Sequence, residues 1–356
     1  MVRLRALVGP DPLALILTLG LGAVGGVIAQ ALHLPLGYLL GSLVVTGLLA
    51  ASGRRIFGRQ VTLPPPLRMC FVPVIGVAIG GAFTPEVAGQ ALGWLPSLVA
   101  LCVFVPLAHT VAFGIFRWGG LDRKTAFFGA VPGGLIESVQ LGEEAGADVA
   151  LLTVLQLLRL IGTIIAVPLI FWGVTGHAVG SASGVQMVGA EAALGGRDVA
   201  ILLAAGVAGV AVGRALHLPG WIITGPILLS SAAHALGLVE GVPPGWLLGV
   251  TQVVVGTGLG ARFAGADPRV LRRGAGLAAI NGAVALGIAL GFALTLRALV
   301  GEPVAAVFLA FAPGGLAEMS LIALSLEVSV IYVTAHHVAR IVLAVALAKA
   351  GGRWLI

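Results

Sequence analysis

About twelve long apolar segments dominate this chain of 356 residues. A helix that crosses the hydrocarbon core of a membrane needs about 20 mostly apolar residues. With 59% hydrophobic and only 10% charged residues, the chain lies far from a soluble domain, in which about 25% of residues are charged. The sequence therefore predicts an all-α polytopic membrane protein that lies in the lipid bilayer, with no room for a separate soluble domain.

An internal duplication relates the two halves of the chain. The string Ala-Leu-His-Leu-Pro at 31–35 recurs letter for letter at 215–219, an offset of 184 residues. The motif Pro-Gly-Gly-Leu-x-Glu at 132–137 recurs at 313–318, an offset of 181 residues. A near-constant offset indicates two repeats joined by a linker. The predicted divisions are a first membrane repeat at 13–175, a linker at 176–197 and a second membrane repeat at 198–350.

The basic residues of the loops predict that the repeats have inverted topology. In the first half they precede segment one and lie between segments two and three and between four and five, as with Arg54, Arg55 and Arg59. In the second half the largest group, within 262–273, lies between segments three and four. Cytoplasmic loops carry the excess of Lys and Arg. These residues are therefore interpreted as topology signals, and nucleic acid is not expected as a partner.

Inversion requires an odd number of crossings in each half. The fifth apolar segment is the natural one not to cross, because Pro-Gly-Gly interrupts its middle and an unbroken helix is unfavourable there. We expect about five transmembrane helices plus one re-entrant hairpin per half, with both termini cytoplasmic in the inner membrane. A rival arrangement with six crossings per half would place the basic group at 262–273 outside.

The interrupted segments are the candidate binding site. Backbone leaves helical geometry at membrane depth only where it faces protein or a water-filled cavity, and half-helix ends can then present N–H and C=O groups to a ligand. The alternative is a pair of kinked structural helices. The residues concerned are Pro132, Gly133 and Gly134 in the first half and Pro313, Gly314 and Gly315 in the second.

Two arginines lie near the middle of the sixth apolar segments. Arg159 matches Arg340 at the 181-residue offset, and Glu137 matches Glu318. An ionised group at membrane depth costs at least about 2.5–3.5 kcal/mol, so each arginine needs a partner, a cavity or a ligand. Either an Arg–Glu pair pins hairpin to helix, or the arginines neutralise an anionic substrate while the glutamates carry a coupling H⁺ or Na⁺.

A polar residue stands three positions before each arginine. It is Gln156 in the first half and His337 in the second, where His336-His337 replaces Leu155-Gln156. A histidine titrates near neutral pH and could relay protons. It could equally be an interior hydrogen-bonding residue. We therefore include Gln156 and His337 among the candidate substrate- or ion-binding residues.

The doubled Leu-His-Leu-Pro, the doubled Pro-Gly-Gly-Leu-x-Glu and the arginine-bearing helices that follow resemble the membrane AbrB-type family. The resemblance covers nearly the whole chain. Members of that family are labelled ammonia monooxygenase or regulator of gene expression, and the family is similar to inverted-repeat cation/proton antiporters and anion transporters. The resemblance implies alternating access but carries no substrate with it.

Two functions remain open from the sequence. The first is a secondary transporter for a small, anionic solute, coupled to H⁺ or Na⁺. The second is a membrane-embedded ligand sensor that affects gene expression without transport. Catalysis is not expected, because no nucleophile motif, phosphate loop or histidine cluster at metal spacing is found. No cofactor or metal is expected, and the assembly could be a homodimer.

Overall fold

The computed structural model describes residues 9–83, 89, 91–176 and 194–352. Within these ranges the chain forms helices and short 3-10 turns and no β-strand. The all-α class predicted from the sequence is therefore confirmed. Most of the predicted linker lies outside the described residues, as do both chain termini and the basic residues Arg3 and Arg5.

Seven helices form the described part of the first half. They are α1 (Pro12–Ala31), α2 (Gly37–Ala51), α3 (Pro65–Gly80), α4 (Leu95–Trp118), α5 (Arg123–Gly129), α6 (Leu135–Glu144) and α7 (Val149–Thr175). A 3-10 turn at Ala91–Trp94 precedes α4. The fifth apolar segment is thus two short helices, α5 and α6, which are separated at Pro-Gly-Gly as predicted.

Seven helices also form the described second half. They are α8 (Gly196–Ala215), α9 (Trp221–Ala235), α10 (Gly245–Gly260), α11 (Pro268–Val300), α12 (Val304–Phe311), α13 (Leu316–Ser325) and α14 (Val330–Gly352). A 3-10 turn at Ala261–Phe263 follows α10. The order of long and short helices matches that of the first half. The inverted orientation of the halves stays a prediction.

Six of the described helices are long and apolar enough to cross a membrane. They are α1, α4, α7, α8, α11 and α14, three from each half. The second and third helices of each half, α2, α3, α9 and α10, have 15 or 16 residues. They fall short of the roughly 20 residues that span the hydrocarbon core alone. The helix inventory supports a multi-pass membrane protein.

Large apolar side chains face outward along these long helices. On α4, Val99, Val103 and Leu107 are all exposed at a spacing of four residues, which places them on one helix face. On α8, Leu203 and Val207 are exposed in the same way. An apolar outer face of this size suits contact with lipid.

The chain divides into two compact units, and each takes helices from both halves. The first unit consists of Met1–Ala88, Val167–Ala266 and Leu324–Leu326. The second consists of Gly89–Ala166, Asp267–Ala323 and Glu327–Ile356, and it contains both Pro-Gly-Gly breaks. This division concerns spatial packing and differs in kind from the predicted sequence repeats, which stay a prediction.

Glycine allows close helix crossings in the first unit. A methyl group on Gly41 of α2 would overlap the carbonyl oxygen of Gly25 of α1. A methyl group on Gly225 of α9 would likewise overlap the carbonyl oxygen of Gly209 of α8. Gly225 and Gly209 correspond to Gly41 and Gly25 at the 184-residue offset. Small residues permit this approach of two backbones where lipid gives no hydrophobic drive for association. The two crossings use the same means in both halves.

Candidate functional site

Both breaks are buried inside the second unit. Helix α5 ends at Gly129 and α6 begins at Leu135, whereas α12 ends at Phe311 and α13 begins at Leu316. The segment that joins α5 to α6 and the segment that joins α12 to α13 are both buried, since Val131 in the first and Ala312 in the second have 0% exposure. Gly134 has a left-handed backbone with φ +63°, which glycine adopts without strain. The non-helical backbone therefore lies where protein surrounds it, as membrane depth requires.

The two arginines bind backbone carbonyls at the breaks. Arg159 of α7 donates to the carbonyl oxygen of Val131, just beyond the end of α5. Arg340 of α14 donates to the carbonyls of Phe311, Ala312 and Gly314, at and beyond the end of α12. The C-terminal end of a helix carries partial negative charge and unpaired carbonyls. Each arginine thus stabilises the end of the first half-helix.

Gln156 and His337 act beside the arginines in the same way. The Nε2 amide of Gln156 donates to the carbonyls of Phe128 and Gly129, at 3.0 and 3.1 Å. His337 Nε2 lies 2.9 Å from the carbonyl oxygen of Leu309, which can only accept, so Nε2 carries the hydrogen. His337 Nδ1 then accepts from Arg340, at 3.1 Å. Phe128 and Leu309 match at the 181-residue offset.

The glutamates occupy the third position of the second half-helices. A Cβ atom added at Gly134 would lie 3.2 Å from Glu137 Oε2, and one added at Gly315 would overlap the carboxylate of Glu318. Each carboxylate therefore lies over the start of its own half-helix, where the helix dipole is positive. Glu318 is buried and Glu137 is half-buried.

In the described first half Arg159 binds a backbone carbonyl, and the Arg–Glu pair, one of the two alternatives left open by the sequence, does not form. In the part of the chain that the structure describes, no ion pair joins Arg159 to Glu137. Positive charge lies at the negative end of one half-helix, and negative charge lies at the positive end of the next. The charges of the break are thus compensated by helix ends.

Each break packs against the arginine helix of the other half. A Cβ atom on Gly133 would lie 3.6 Å from the Cα of Ile341 in α14. One on Gly315 would lie 3.3 Å from Leu160 in α7. Leu160 and Ile341 directly follow Arg159 and Arg340 in sequence. The predicted site residues of both halves are therefore brought together in one cluster, while binding of a ligand there stays a prediction.

Two residues near this cluster were missed by the sequence reasoning. Ser97 of α4 and Tyr332 of α14 are both fully buried. Ser97 Oγ lies 2.8 Å from His336 Nε2, and the rings of Tyr332 and His336 are 4.1 Å apart between centroids. The signal was the spacing of Tyr332 and His336 by four residues, which places two polar rings on one helix face.

A cavity in the first unit lacks the chemistry of a polar binding site. It has a volume of about 470 Å³ and only apolar or weakly polar lining, from residues such as Met69, Cys70, Leu202 and Val207. No charged side chain lines it. The residues described also contain no group of three or more His, Cys, Asp or Glu that could hold a metal ion.

These features define a polytopic α-helical membrane protein with two buried helix breaks, each capped by an arginine. The chain belongs to the AbrB family: the family model described as "Transition state regulatory protein AbrB" matches residues 46–356. This result confirms the resemblance that was stated from the doubled motifs.

Two relatives cover most of the chain. "Uncharacterized protein YhjN" of Bacillus subtilis (strain 168) is 24% identical over 356 residues, with 92% of this chain and 90% of that protein covered. "Putative regulator AbrB" of Escherichia coli (strain K12) is 27% identical over 303 residues, with 82% of each chain covered.

Proposed function

We propose that this protein is a secondary transporter that moves a small anionic solute across the inner membrane by alternating access, coupled to H⁺ or Na⁺. The observation that carries the proposal is the pair of buried breaks with an incompletely bonded arginine at each. Discontinuous helices that meet within one unit are typical of the solute and ion sites of secondary transporters.

The arginines support an anionic solute. The Nε atoms of Arg159 and Arg340 are both buried, and neither has a hydrogen-bond partner among the described residues. A buried donor without a partner costs about 1–3 kcal/mol. That this occurs on both arginines favours a ligand acceptor at each, and a carboxylate has the geometry that guanidinium groups bind best.

The glutamates supply a reason for coupling. The carboxylates of Glu137 and Glu318 lie at the same breaks as the arginines, so they repel an anion that approaches the cluster. Binding of H⁺ or Na⁺ to a carboxylate removes that repulsion. The solute and the coupling ion therefore favour each other's binding, which is the linkage that symport requires.

The test is flux in proteoliposomes that contain the purified protein. A panel of radiolabelled short-chain mono- and dicarboxylates is offered under an imposed H⁺ gradient and, separately, an imposed Na⁺ gradient. We expect uptake of at least one member that depends on one gradient. The variants Arg340→Gln and Glu318→Gln should lose it, whereas Arg59→Gln, which removes an equal charge from the α1–α3 region, should keep it.

Binding without flux would overturn the proposal. If a carboxylate stabilises the protein against heat but no gradient drives its uptake, the ligand-sensor function is supported instead. Equal loss of flux in Arg59→Gln would show that the assay reports overall charge rather than the cluster at the breaks.

A further inference from the structure

The cavity of about 470 Å³ in the first unit lies beside α8, and we call it the α8 groove. Its walls come from α3, from α8 and from the start of α10. Leu203 and Val207 of α8 line the groove and are 64% and 73% exposed, so the groove is open along that helix. Because α8 is long and apolar enough to cross a membrane, the open side faces the hydrocarbon of the bilayer.

The matching place beside α1 is filled by side chains of the protein. Helices α1 and α8 align at the 184-residue offset, and α3 and α10 align at an offset of 180 residues, which places Gly76 and Gly80 on Gly256 and Gly260. Five residues that line the groove are Val199, Leu203, Pro243, Leu247 and Val74. Their counterparts, in the same order, belong to one hydrophobic cluster and are Leu15, Leu19, Leu63, Leu67 and Val254. The same place in the fold is therefore closed beside α1 and open beside α8.

Smaller side chains explain why the α8 groove is open. Leu15 of the cluster beside α1 corresponds to Val199 of the groove. Phe71 also packs in that cluster, and its counterpart at the 180-residue offset is Thr251, which is fully buried. When a large apolar side chain is replaced by a small one, the surrounding structure closes the space only in part. The second half therefore leaves a space where the first half places a phenyl ring.

The chemistry of the groove selects an apolar occupant. The only side-chain heteroatoms that line it are the sulfur atoms of Met69 and Cys70, which are weak hydrogen-bonding partners. A buried water molecule needs about two to four polar partners, and apolar cavities stay dry and bind apolar molecules instead. Walls that face an empty space also lose dispersion contacts. In a bilayer, the apolar molecules that can supply those contacts are the acyl chains of the lipids.

The length of the groove suits one acyl chain. Along α8 its lining runs from Val199 to Val210, which spans about 16 Å at a rise of about 1.5 Å per residue. The hydrocarbon core of a bilayer is about 30 Å thick, so the tails of one leaflet fill about 15 Å of it. Leu194 and Pro243 line the groove just before α8 and α10 begin. The groove therefore runs inward from the helix starts to about the depth of one leaflet.

The residues at the helix starts suit the surface of a membrane. Trp246, in the first turn of α10, is 70% exposed, and tryptophan is enriched where the membrane meets water. Arg197, in the first turn of α8, is exposed, and its positive charge suits a lipid phosphate. The neighbouring Asp198 accepts a hydrogen bond from the backbone N–H of Gly195, at 3.0 Å. This end of the groove is therefore the natural place for a headgroup.

We propose that the α8 groove binds one acyl chain of a membrane phospholipid, whose headgroup lies where α8 and α10 begin. The chain fills the space that Phe71 and its neighbours fill beside α1. It packs against the apolar side chains of α3 and α8, so the lipid completes the packing of the first unit. The groove is separate from the helix breaks, and its lipid can be tested without any solute.

The two cysteines of the chain provide a probe and its control. Cys70 lines the α8 groove, and Cys102 is exposed on α4, outside the groove. In delipidated protein in detergent, mass spectrometry follows the rate at which each thiol reacts with N-ethylmaleimide. Palmitoyl-oleoyl-phosphatidylcholine at about ten times its dissociation constant should slow the reaction of Cys70 about tenfold and leave that of Cys102 unchanged. Dioctanoyl-phosphatidylcholine, which has the same headgroup but short tails, should protect Cys70 far less.

A variant that fills the groove should abolish this protection. Gly206 lines the groove, and an added Cβ would lie 3.5 Å from Val77, an ordinary contact, so Gly206→Leu fits there. Its Cys70 should react at the same rate with and without the long-chain lipid. Gly20→Leu, on α1 where an added Cβ has no atom within 4 Å, is the matched control and should keep the protection. If Gly206→Leu does not fold, Val199→Phe, at a position that is 42% exposed, is measured instead.

Each outcome decides the proposal. Protection of Cys70 by the long-chain lipid alone, lost when the groove is filled, would support it. Equal protection by both lipids, protection by neither, or protection that persists in Gly206→Leu would overturn it. Protection of Cys70 that rises with protein concentration and does not respond to added lipid would also overturn it, because a second copy of the chain would then cover the groove.

Discussion

The break of the first half and the break of the second are held by equivalent residues, but not to the same extent. Arg159 bonds one carbonyl, whereas Arg340 bonds three and also His337. Glu137 is half-buried and Glu318 is buried. The geometry of the helix break is thus common to both halves, whereas the burial of the break and the titratable side chains around it differ.

The neighbourhoods of the two breaks differ further. The first break adjoins a hydrophobic cluster that contains Leu121, Leu151 and Leu155, whereas near the second break Ser97 is hydrogen-bonded to His336. A helix break needs its carbonyls bonded, and Gln156 achieves this without a titratable ring. The second half therefore carries two imidazole rings, His336 and His337, where the first half has a leucine and an amide. The first half is the structural reference against which the second can be measured.

The largest expected effect concerns the orientation of the halves. Ser52 follows α2, and Ala264 follows the 3-10 turn after α10, so both adjoin arginine groups in halves predicted to be inverted. Cysteines introduced at both positions, in a background without Cys70 and Cys102, should be protected from an impermeant thiol reagent added outside and labelled after permeabilisation. Labelling at Ala264 from outside would contradict the inverted topology of the two halves and favour six crossings per half.

Removal of the arginines should separate the two breaks by stability. Arg340→Ala leaves two of its three buried carbonyls without a donor, because only the Ala312 carbonyl keeps another bond, and each stranded acceptor costs about 1–3 kcal/mol. We expect a loss of at least about 2 kcal/mol. After Arg159→Ala the Val131 carbonyl keeps its bond from Gln156 Nε2 at 3.3 Å, so the loss should be below about 1 kcal/mol. Denaturant unfolding in detergent measures both, and equal losses would contradict the asymmetry.

Exchange of the residues before the arginines should be nearly neutral where the hydrogen bond survives. His337→Gln places the first half's residue in the second, and an amide can still donate to the Leu309 carbonyl, so we expect a change below about 1 kcal/mol. His337→Leu removes the donor and should cost about 1–3 kcal/mol. Thermal unfolding followed by scattering compares the two, and a larger loss for Gln than for Leu would show that His337 is not a carbonyl donor.

Gly134 should tolerate a side chain less well than a glycine of the same conformation in open space. Gly134 has φ +63°, and an added Cβ would lie 2.9 Å from Val345. Gly53 has φ +67° with no atom within 4 Å. Gly53→Ala should cost about 1 kcal/mol from backbone strain alone, and Gly134→Ala about 1–2 kcal/mol more from the contact. Equal losses would mean that the break is not closely packed against α14.

The sequence was sufficient for the breaks because Pro-Gly-Gly acts locally on helix geometry. The same holds for the alignment of Gln156 with His337, which follows from the offset alone. The partner of Arg159 could not be predicted, because it depends on where α5 ends in space and not on the nearest opposite charge in sequence. The bond between Ser97 and His336 joins residues 239 positions apart, and no periodic pattern reports such a contact.

The smallest expected effect compares the first helices of the two halves. Helix α1 begins after Asp11, which caps the Ala14 N–H at 3.1 Å and pairs with Arg59, whereas α8 begins after Gly195 with Asp198 in its first turn. The Ala14 bond, followed by the Arg59 bond, lowers the pKa of Asp11 below 3.8. A carboxylate whose folded pKa is lowered contributes stability above its ordinary pKa and loses it as pH falls through the folded value.

Asp11→Asn keeps a side chain that caps the helix but removes the charge. Its unfolding temperature should be slightly lower than that of the wild type at neutral pH, and the difference should shrink below the ordinary Asp pKa and disappear once pH has fallen through the lowered pKa of the folded carboxylate, where the wild-type side chain is also neutral. Asp198→Asn gives the corresponding measurement for the second half. A gap between Asp11→Asn and the wild type that persists at low pH would mean that the capping geometry, and not the carboxylate charge, distinguishes the start of α1 from the start of α8.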